Sequence, residues 1–228
     1  MRINRDILHK IASDTVRERT RANRNILCSY LTGSLLDEEP LLGGATDIDL
    51  VMVHNGEPER EREIIPLTEQ VHLDIHHHGR RLYNQPRQLR RHPWLGPAVF
   101  QAQVLFDPQH FMDFTQASVR GQFDRPEYTL GRAEKQAEAA RQIWFEFYSN
   151  QPIPDPDART ISKYISALEL VANAVASLVG GPLTRRRFLL NYKEKSEQVG
   201  DPGLYVGLIG LLGATELAPQ VLKNWLPT

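Results

Sequence analysis

The sequence holds a single cysteine, Cys28, which excludes an internal disulfide framework. It lies in the apolar run Ile26-Leu27-Cys28-Ser29-Tyr30-Leu31 and reads as a small buried hydrophobe, not a nucleophile. Net charge is almost lacking: 27 Lys and Arg against 28 Asp and Glu leave -1. A protein that bound nucleic acid through its overall field would be strongly basic, so a nucleic-acid partner is disfavoured. Lysine is scarce, six of the 27 basic residues; arginine, the better bidentate partner for phosphate or carboxylate, makes up the rest. Long hydrophobic runs are missing as well. The longest uncharged apolar stretch, Gly203 to Thr215, is Gly-rich and well short of the roughly 18–20 residues that span a bilayer. The N-terminus Met1-Arg2-Ile3-Asn4-Arg5-Asp6 carries charge where a secretory signal needs an apolar core. With a lone thiol, this pattern fits a soluble cytoplasmic protein with no membrane partner. No internal repeat or low-complexity segment is visible.

What remains is an ordinary globular composition, 228 residues with 41% hydrophobic and 24% charged. That is enough for one large domain or two small ones. Ile3, Ile7 and Ile11, with Leu8 beside them, predict an N-terminal helix, which the charged stretch Asp14–Arg24 can continue. Ile26–Leu31 reads as a buried strand entering a tight turn at Thr32-Gly33-Ser34. Asp47–Val53 reads as a second strand, stopped by His54-Asn55-Gly56. Glu63–Leu67 reads as extended, because Pro66 interrupts any helix there, and turns at Thr68-Glu69-Gln70. Val71, Leu73 and Ile75 alternate with His72, Asp74 and His76, a strand with one apolar and one polar face. Gln103-Val104-Leu105-Phe106-Asp107-Pro108 looks like another strand, ended by Pro108.

Beyond about residue 110 the pattern turns helical. Ala133, Ala137, Ala140, Trp144 and Phe147 share a helix face. Asn150–Asp157 is a Pro-rich connector. Ile165, Leu168, Ala172, Val175 and Val179 form a bundle-type seam, stopped by Gly180-Gly181-Pro182. Two further helices follow around Thr184–Val199 and Leu204–Leu212, the latter packing in the core or between two copies of a homodimer. The expected fold is α+β: a small mixed sheet with flanking helices over residues 1–110, then a helical domain over 111–228.

Three features carry chemistry. A strand ends in Gly33-Ser34. Asp47-Ile48-Asp49 opens the next strand. Asp74 sits on the polar face of a later one. Two Asp at i and i+2 on a strand share a face, roughly 7 Å apart. Carboxylates converging in this way call for a cation, and hard oxygen donors suit Mg²⁺ together with substrate phosphates. Gly33 allows a sharp turn and close backbone approach. Its N–H and the Ser34 hydroxyl are suited to donate to phosphate oxygens. If the strand of Asp74 neighbours that of Asp47 and Asp49, a carboxylate triad results, the constellation for phosphoryl or nucleotidyl displacement.

Leu31-Thr32-Gly33-Ser34, then Thr46-Asp47-Ile48-Asp49-Leu50-Val51, then Leu73-Asp74-Ile75 resembles the signature of the nucleotidyltransferase superfamily related to DNA polymerase beta. The motif-bearing resemblance covers roughly residues 26–78. The helical second half is similar in arrangement to the kanamycin-type enzymes. The sequence departs from the pattern after Gly-Ser, where Leu35-Leu36-Asp37-Glu38-Glu39-Pro40 replaces a small residue followed by Arg-Gly. The resemblance implies that Gly33 and Ser34 cradle nucleotide phosphates and that Asp47 and Asp49 hold Mg²⁺. Asp74 would bind metal or act as base, and Lys163, in the helical half, would meet the phosphates. The implied activity is Mg²⁺-dependent transfer of a nucleoside monophosphate, from ATP, to a hydroxyl of a small molecule or protein. The alternative within the superfamily is a non-catalytic nucleotide-binding or antitoxin-like partner protein.

Other clusters have plainer readings. His72, His76, His77 and His78 read as a polar strand face and its solvated end, with His72 and His76 flanking Asp74. Arg80, Arg81, Arg87, Arg90 and Arg91, with no acid among them, read as a solvated basic face, as does Arg185-Arg186-Arg187. Trp94, Trp144 and Trp225 read as core or interface packing.

Overall fold

A computed structural model describes residues 4–37, 46–149, 155–183 and 187–213. The fold is α+β, and the chain divides into two compact units, Met1–Arg125 and Pro126–Thr228.

The first unit opens with α1 (Arg5–Ala22), capped by the Asn4 side chain, which accepts from the Ile7 N–H at 3.0 Å. The inward stripe is Leu8, Ala12, Val16 and Thr20, with Ile7 and Ile11 half-buried at its margin. Ile3 lies outside the described residues. Five strands follow: β1 (Ile26–Thr32), β2 (Thr46–His54), β3 (Arg62–Pro66), β4 (Val71–Gly79) and β5 (Gln103–Phe106). They form one mixed sheet in the order β3-β4-β2-β1-β5. β2 and β4 run parallel, and the other pairings are antiparallel. The short helices α2 (Pro86–Arg91) and α3 (Leu95–Gln101), then α4 (Phe111–Arg120), complete the unit.

The sheet is covered on both faces, and this explains the sequence patterns. Ile48, Leu50, Met52, Leu73 and Ile75 pack with Leu8, Ala12 and Val16 of α1. On the other face Cys28, Tyr30, Val51 and Val53 pack with Leu89, Val99, Met112 and Val119 of α2, α3 and α4. A strand buried on both sides needs apolar residues at consecutive positions, as in Leu50-Val51-Met52-Val53. α4 belongs to this unit because Met112, Val119 and, just after it, Phe123 are buried in the second cluster. The boundary expected at residue 110 therefore falls at Arg125–Pro126. The Asp107 carboxylate fixes the start of α4, accepting from the N–H groups of Phe111 at 2.9 Å, Met112 at 2.8 Å and Asp113 at 3.0 Å. It satisfies donors that a helix start leaves unpaired.

The second unit is helical among its described residues: α5 (Pro126–Ser149), α6 (Ala158–Val179), α7 (Phe188–Val199) and α8 (Gly203–Leu211). Asp157 caps α6 by accepting from the Thr160 N–H at 2.8 Å. Leu168, Ala172, Ala176, Leu183, Tyr192 and Leu208 make its core. The α6 seam holds at Leu168 and Ala172, but Ile165 is exposed. On α5, Ala133 and Ala140 are buried whereas Trp144 is 53% exposed. Trp94 is also exposed, so neither described tryptophan is a core residue; Trp225 lies outside the described residues. So do Thr184, Arg185, Arg186 and most of the Pro-rich connector. Among the described residues, no helix is long and apolar enough to cross a membrane.

Candidate functional site

Asp47 and Asp49 lie on β2 and Asp74 on β4, and the parallel register sets Asp49 directly opposite Asp74 and Asp47 opposite His72. Residues opposite one another share a face, so all three carboxylates stand on the face that α2, α3 and α4 cover elsewhere. Thr32 of β1 pairs with Asp49, and Ile64 of β3 pairs with Asp74. A single row therefore runs Thr32, Asp49, Asp74, Ile64, with neighbouring strands about 4.8 Å apart.

The Gly33-Ser34 turn closes onto this row. Gly33 has φ +76°, a left-handed backbone that suits glycine. A Cβ placed on it would overlap the Asp49 carboxylate, 2.8 Å from Cγ and 3.1 Å from Cβ. The turn thus packs its bare backbone against Asp49. The Ser34 hydroxyl lies 3.4 Å from that of Thr46. After it comes a single 3-10 turn, Gly33–Leu36, anchored by buried Leu35. Residues 38–45, with Glu38, Glu39 and Pro40, lie outside the described residues.

Each carboxylate meets a basic side chain differently. His72 Nδ1 is 3.4 Å from Asp47 Oδ1, and that carboxylate is about a third exposed. Asp74 is nearly buried and gripped bidentately by Arg62 of β3: Nε donates to Oδ1 at 2.8 Å and the terminal nitrogen to Oδ2 at 2.5 Å. His76 Nε2 adds a contact at 3.5 Å. The Arg62 hydrogen bonds hold the Asp74 carboxyl below the usual carboxylate range, against the opposing effect of burial. His72 and His76 thus flank Asp74, as the alternation implied.

Further along this face the sheet becomes a closed polar relay. His78 Nδ1 is 2.5 Å from the Tyr83 hydroxyl, which is 2.8 Å from that of Tyr30. Burial pushes the His78 imidazole down to about 4. Both hydroxyls have a partner in this chain of groups, as buried polar groups require. Burial pushes the nearby Cys28 thiol up, consistent with an inert core residue.

Asp47 and Asp49 offer hard oxygens two residues apart on one strand, which fits an ion held by one or two carboxylates plus phosphates and water. Arg62 takes up one acceptor position on each Asp74 oxygen. Among the described residues, no group of three His, Cys, Asp or Glu stands close enough to hold an ion. Lys163 lies on α6 in the second unit and donates to Glu146 of α5 at 2.8 Å, both side chains being more than half exposed.

Arg62 is the residue that sequence reasoning missed. Its signal was present: counting back from the Thr68-Glu69-Gln70 turn along an antiparallel hairpin pairs Arg62 with His76, on the face of Asp74. In the arginine cluster at 80–91, Arg80, Arg81, Arg87 and Arg91 are exposed and Arg90 is half-buried. Arg90 donates to the Ser118 carbonyl at the end of α4 at 2.7 Å. Arg80 donates to the Asn55 carboxamide at 2.8 Å, and Arg81 lies 3.8 Å from Glu57.

No family model and no curated protein matches the sequence. Among solved structures, the chain is similar to a nucleotidyltransferase-like protein from Exiguobacterium sibiricum. The match has 11% identity and a TM-score of 0.41, and covers 90% of this chain and 75% of that one. A likeness that loose carries no argument about function, which rests on the site itself.

Proposed function

We propose that the protein is a nucleotidyltransferase that moves a nucleoside monophosphate, from ATP, onto a hydroxyl of a small molecule or protein. One observation carries the reading. Asp49 and Asp74 stand side by side on neighbouring strands, with Asp47 on the same face and the Gly33 backbone packed against Asp49.

In this reading the Gly33 N–H and the Ser34 hydroxyl donate to phosphate oxygens of the triphosphate. Asp47 and Asp49 would hold Mg²⁺, which when bound neutralises charge on the phosphates and on the leaving pyrophosphate. Asp74 orients the acceptor hydroxyl and takes its proton. The hydroxyl oxygen then bonds to the α-phosphorus as the bond to the β-phosphate oxygen breaks, and pyrophosphate leaves. Lys163 is retained as a phosphate contact only through the resemblance, since its ammonium is paired with Glu146.

A second reading has its own support. The bidentate Arg62–Asp74 pair is what a nucleotide-binding protein without turnover would keep, because a carboxylate so held is a weak base. The two readings separate by release of pyrophosphate on addition of acceptors.

The first test of both is thermal unfolding with each nucleoside triphosphate, with and without Mg²⁺, for wild type and Asp47→Asn/Asp49→Asn. At 100 times its dissociation constant a ligand adds about 2.7 kcal/mol, a shift of roughly 5–10 °C for a chain of this size. The expected result is a Mg²⁺-dependent shift in wild type that the double variant loses. No shift with any triphosphate would remove the nucleotide site from consideration.

A further inference from the structure

Arg62 stands on the edge strand β3, opposite His76 rather than Asp74. Its guanidinium therefore reaches along the sheet to grip its carboxylate. The pair is asymmetric: the Asp74 side chain is 10% exposed, that of Arg62 54%. Half-exposed, on a long stem at a sheet edge, Arg62 has room to leave, whereas Asp74 is fixed in the row beside Asp49. The guanidinium also lies within Coulomb range of Asp47 and Asp49. In this state the arginine supplies the positive charge that a cluster of three carboxylates requires.

A guanidinium fork matches phosphate as well as it matches carboxylate. A triphosphate bound at Gly33-Ser34 would bring several anionic oxygens to this face, and one carboxylate competes poorly with them. We propose that Arg62 is a substrate-released latch: it holds Asp74 in the free protein and moves to a phosphate when the nucleoside triphosphate binds, freeing Asp74 for the acceptor. The inference rests on the nucleotidyltransferase reading of the site. Its consequence is ordered binding: the carboxylate row takes a divalent cation poorly until the triphosphate has drawn the arginine away. The enzyme is thereby kept from presenting a bare carboxylate cluster to stray cations.

The test uses Mn²⁺ as the cation probe, with free Mn²⁺ read by electron paramagnetic resonance and no turnover required. Wild type, Arg62→Gln, Arg62→Gln/Asp74→Asn and Asp47→Asn/Asp49→Asn are titrated with and without α,β-methylene-ATP. Circular dichroism checks that each is folded; the exposure of Arg62 makes loss of fold unexpected. Without nucleotide, Arg62→Gln should bind Mn²⁺ on the order of tenfold tighter than wild type, the effect of removing one neighbouring cation. Adding Asp74→Asn should erase that gain. With the nucleotide analogue, wild type should gain Mn²⁺ affinity, and Arg62→Gln should bind the analogue more weakly. Equal Mn²⁺ affinity in wild type and Arg62→Gln, with binding lost in Asp47→Asn/Asp49→Asn, would overturn the latch and leave the nucleotide site standing. Mn²⁺ binding unaffected by Asp47→Asn/Asp49→Asn, or absent from every protein, would overturn the site reading and the latch with it.

Discussion

Gly33 is the residue on which the proposed site turns, for two separate reasons. Its φ of +76° costs about 1–2 kcal/mol for a residue with a Cβ. Independently, that Cβ would sit 2.8 Å from Asp49 Cγ, so the carboxylate must move. Gly33→Ala should therefore destabilise the protein by about 2 kcal/mol or more in urea unfolding. It should also abolish the Mg²⁺-dependent thermal shift with triphosphate. The two causes can be separated with Asp49→Ala, which removes the overlap with the carboxylate, leaves the 3.1 Å approach to Cβ and keeps the backbone strain. In the double variant, the cost of Gly33→Ala should fall toward the backbone part. A cost independent of residue 49 would mean that Gly33 serves only the turn. Glycine in a Thr-Gly-Ser sequence announces a turn; that it also makes space for a particular carboxylate is visible only once β1 and β2 are paired.

At the scale of elements, β2 and β4 carry different chemistry on their two faces. On the face toward α1, His54 Nε2 lies 3.0 Å from His77 Nδ1. His77 Nε2 is 3.8 Å from Glu63, which accepts from Arg19 of α1 at 2.7 Å. Burial lowers the pKa of both imidazoles; Glu63 partly opposes this at His77, while Arg60 and Arg19 reinforce it. Groups kept neutral by folding take up protons more readily when unfolded. Their contribution to stability is complete above the unfolded value, about 6.5, and is lost as pH falls below it. Stability should decline from pH 7 toward 5, before the carboxylates titrate, by at most about 1.4 kcal/mol per pH unit for each proton. Urea unfolding across that range should show it, and His54→Gln should flatten the slope. A flat wild-type profile would mean the pair is no more protonated in the unfolded chain.

These same strands mark what was readable. The alternation of Val71, Leu73 and Ile75 with His72, Asp74 and His76 identified β4 because one face is apolar and the other polar. Asp47 and Asp49 were placed on a strand by the aliphatic run after them. α2 and α3 left no periodic trace: they are 6 and 7 residues long, too short for a repeat, and Pro86 and Pro97 obscure them. Trp144 fitted the stripe of α5 by spacing and is nonetheless exposed, because spacing fixes a face and not what covers it. Arg62 was overlooked because its role depends on a partner twelve positions away in sequence, which only strand register supplies.

At the scale of the whole chain, each unit has its own core, and the proposed carboxylate site lies entirely within the first. The sheet of residues 1–125 is covered on one face by α1 and on the other by α2, α3 and α4, all from the same unit. A domain of that length buries enough apolar surface to be stable alone. A fragment ending at Arg125 should therefore fold and unfold cooperatively in urea, with coincident transitions by circular dichroism and by Trp94 fluorescence. It should also bind Mn²⁺ through Asp47 and Asp49 as the full chain does, since neither carboxylate is supplied by the second unit. Acceptor transfer is the property to follow across the two proteins. If the fragment binds nucleotide but transfers nothing, the helical unit supplies the acceptor site or a phosphate contact such as Lys163. Lys163→Ala in the full chain decides between these: it weakens nucleotide binding only if Lys163 meets the phosphates. Because the Lys163–Glu146 pair is exposed, that substitution should change stability by less than about 1 kcal/mol, so any larger loss of nucleotide affinity is a loss of contact and not of fold.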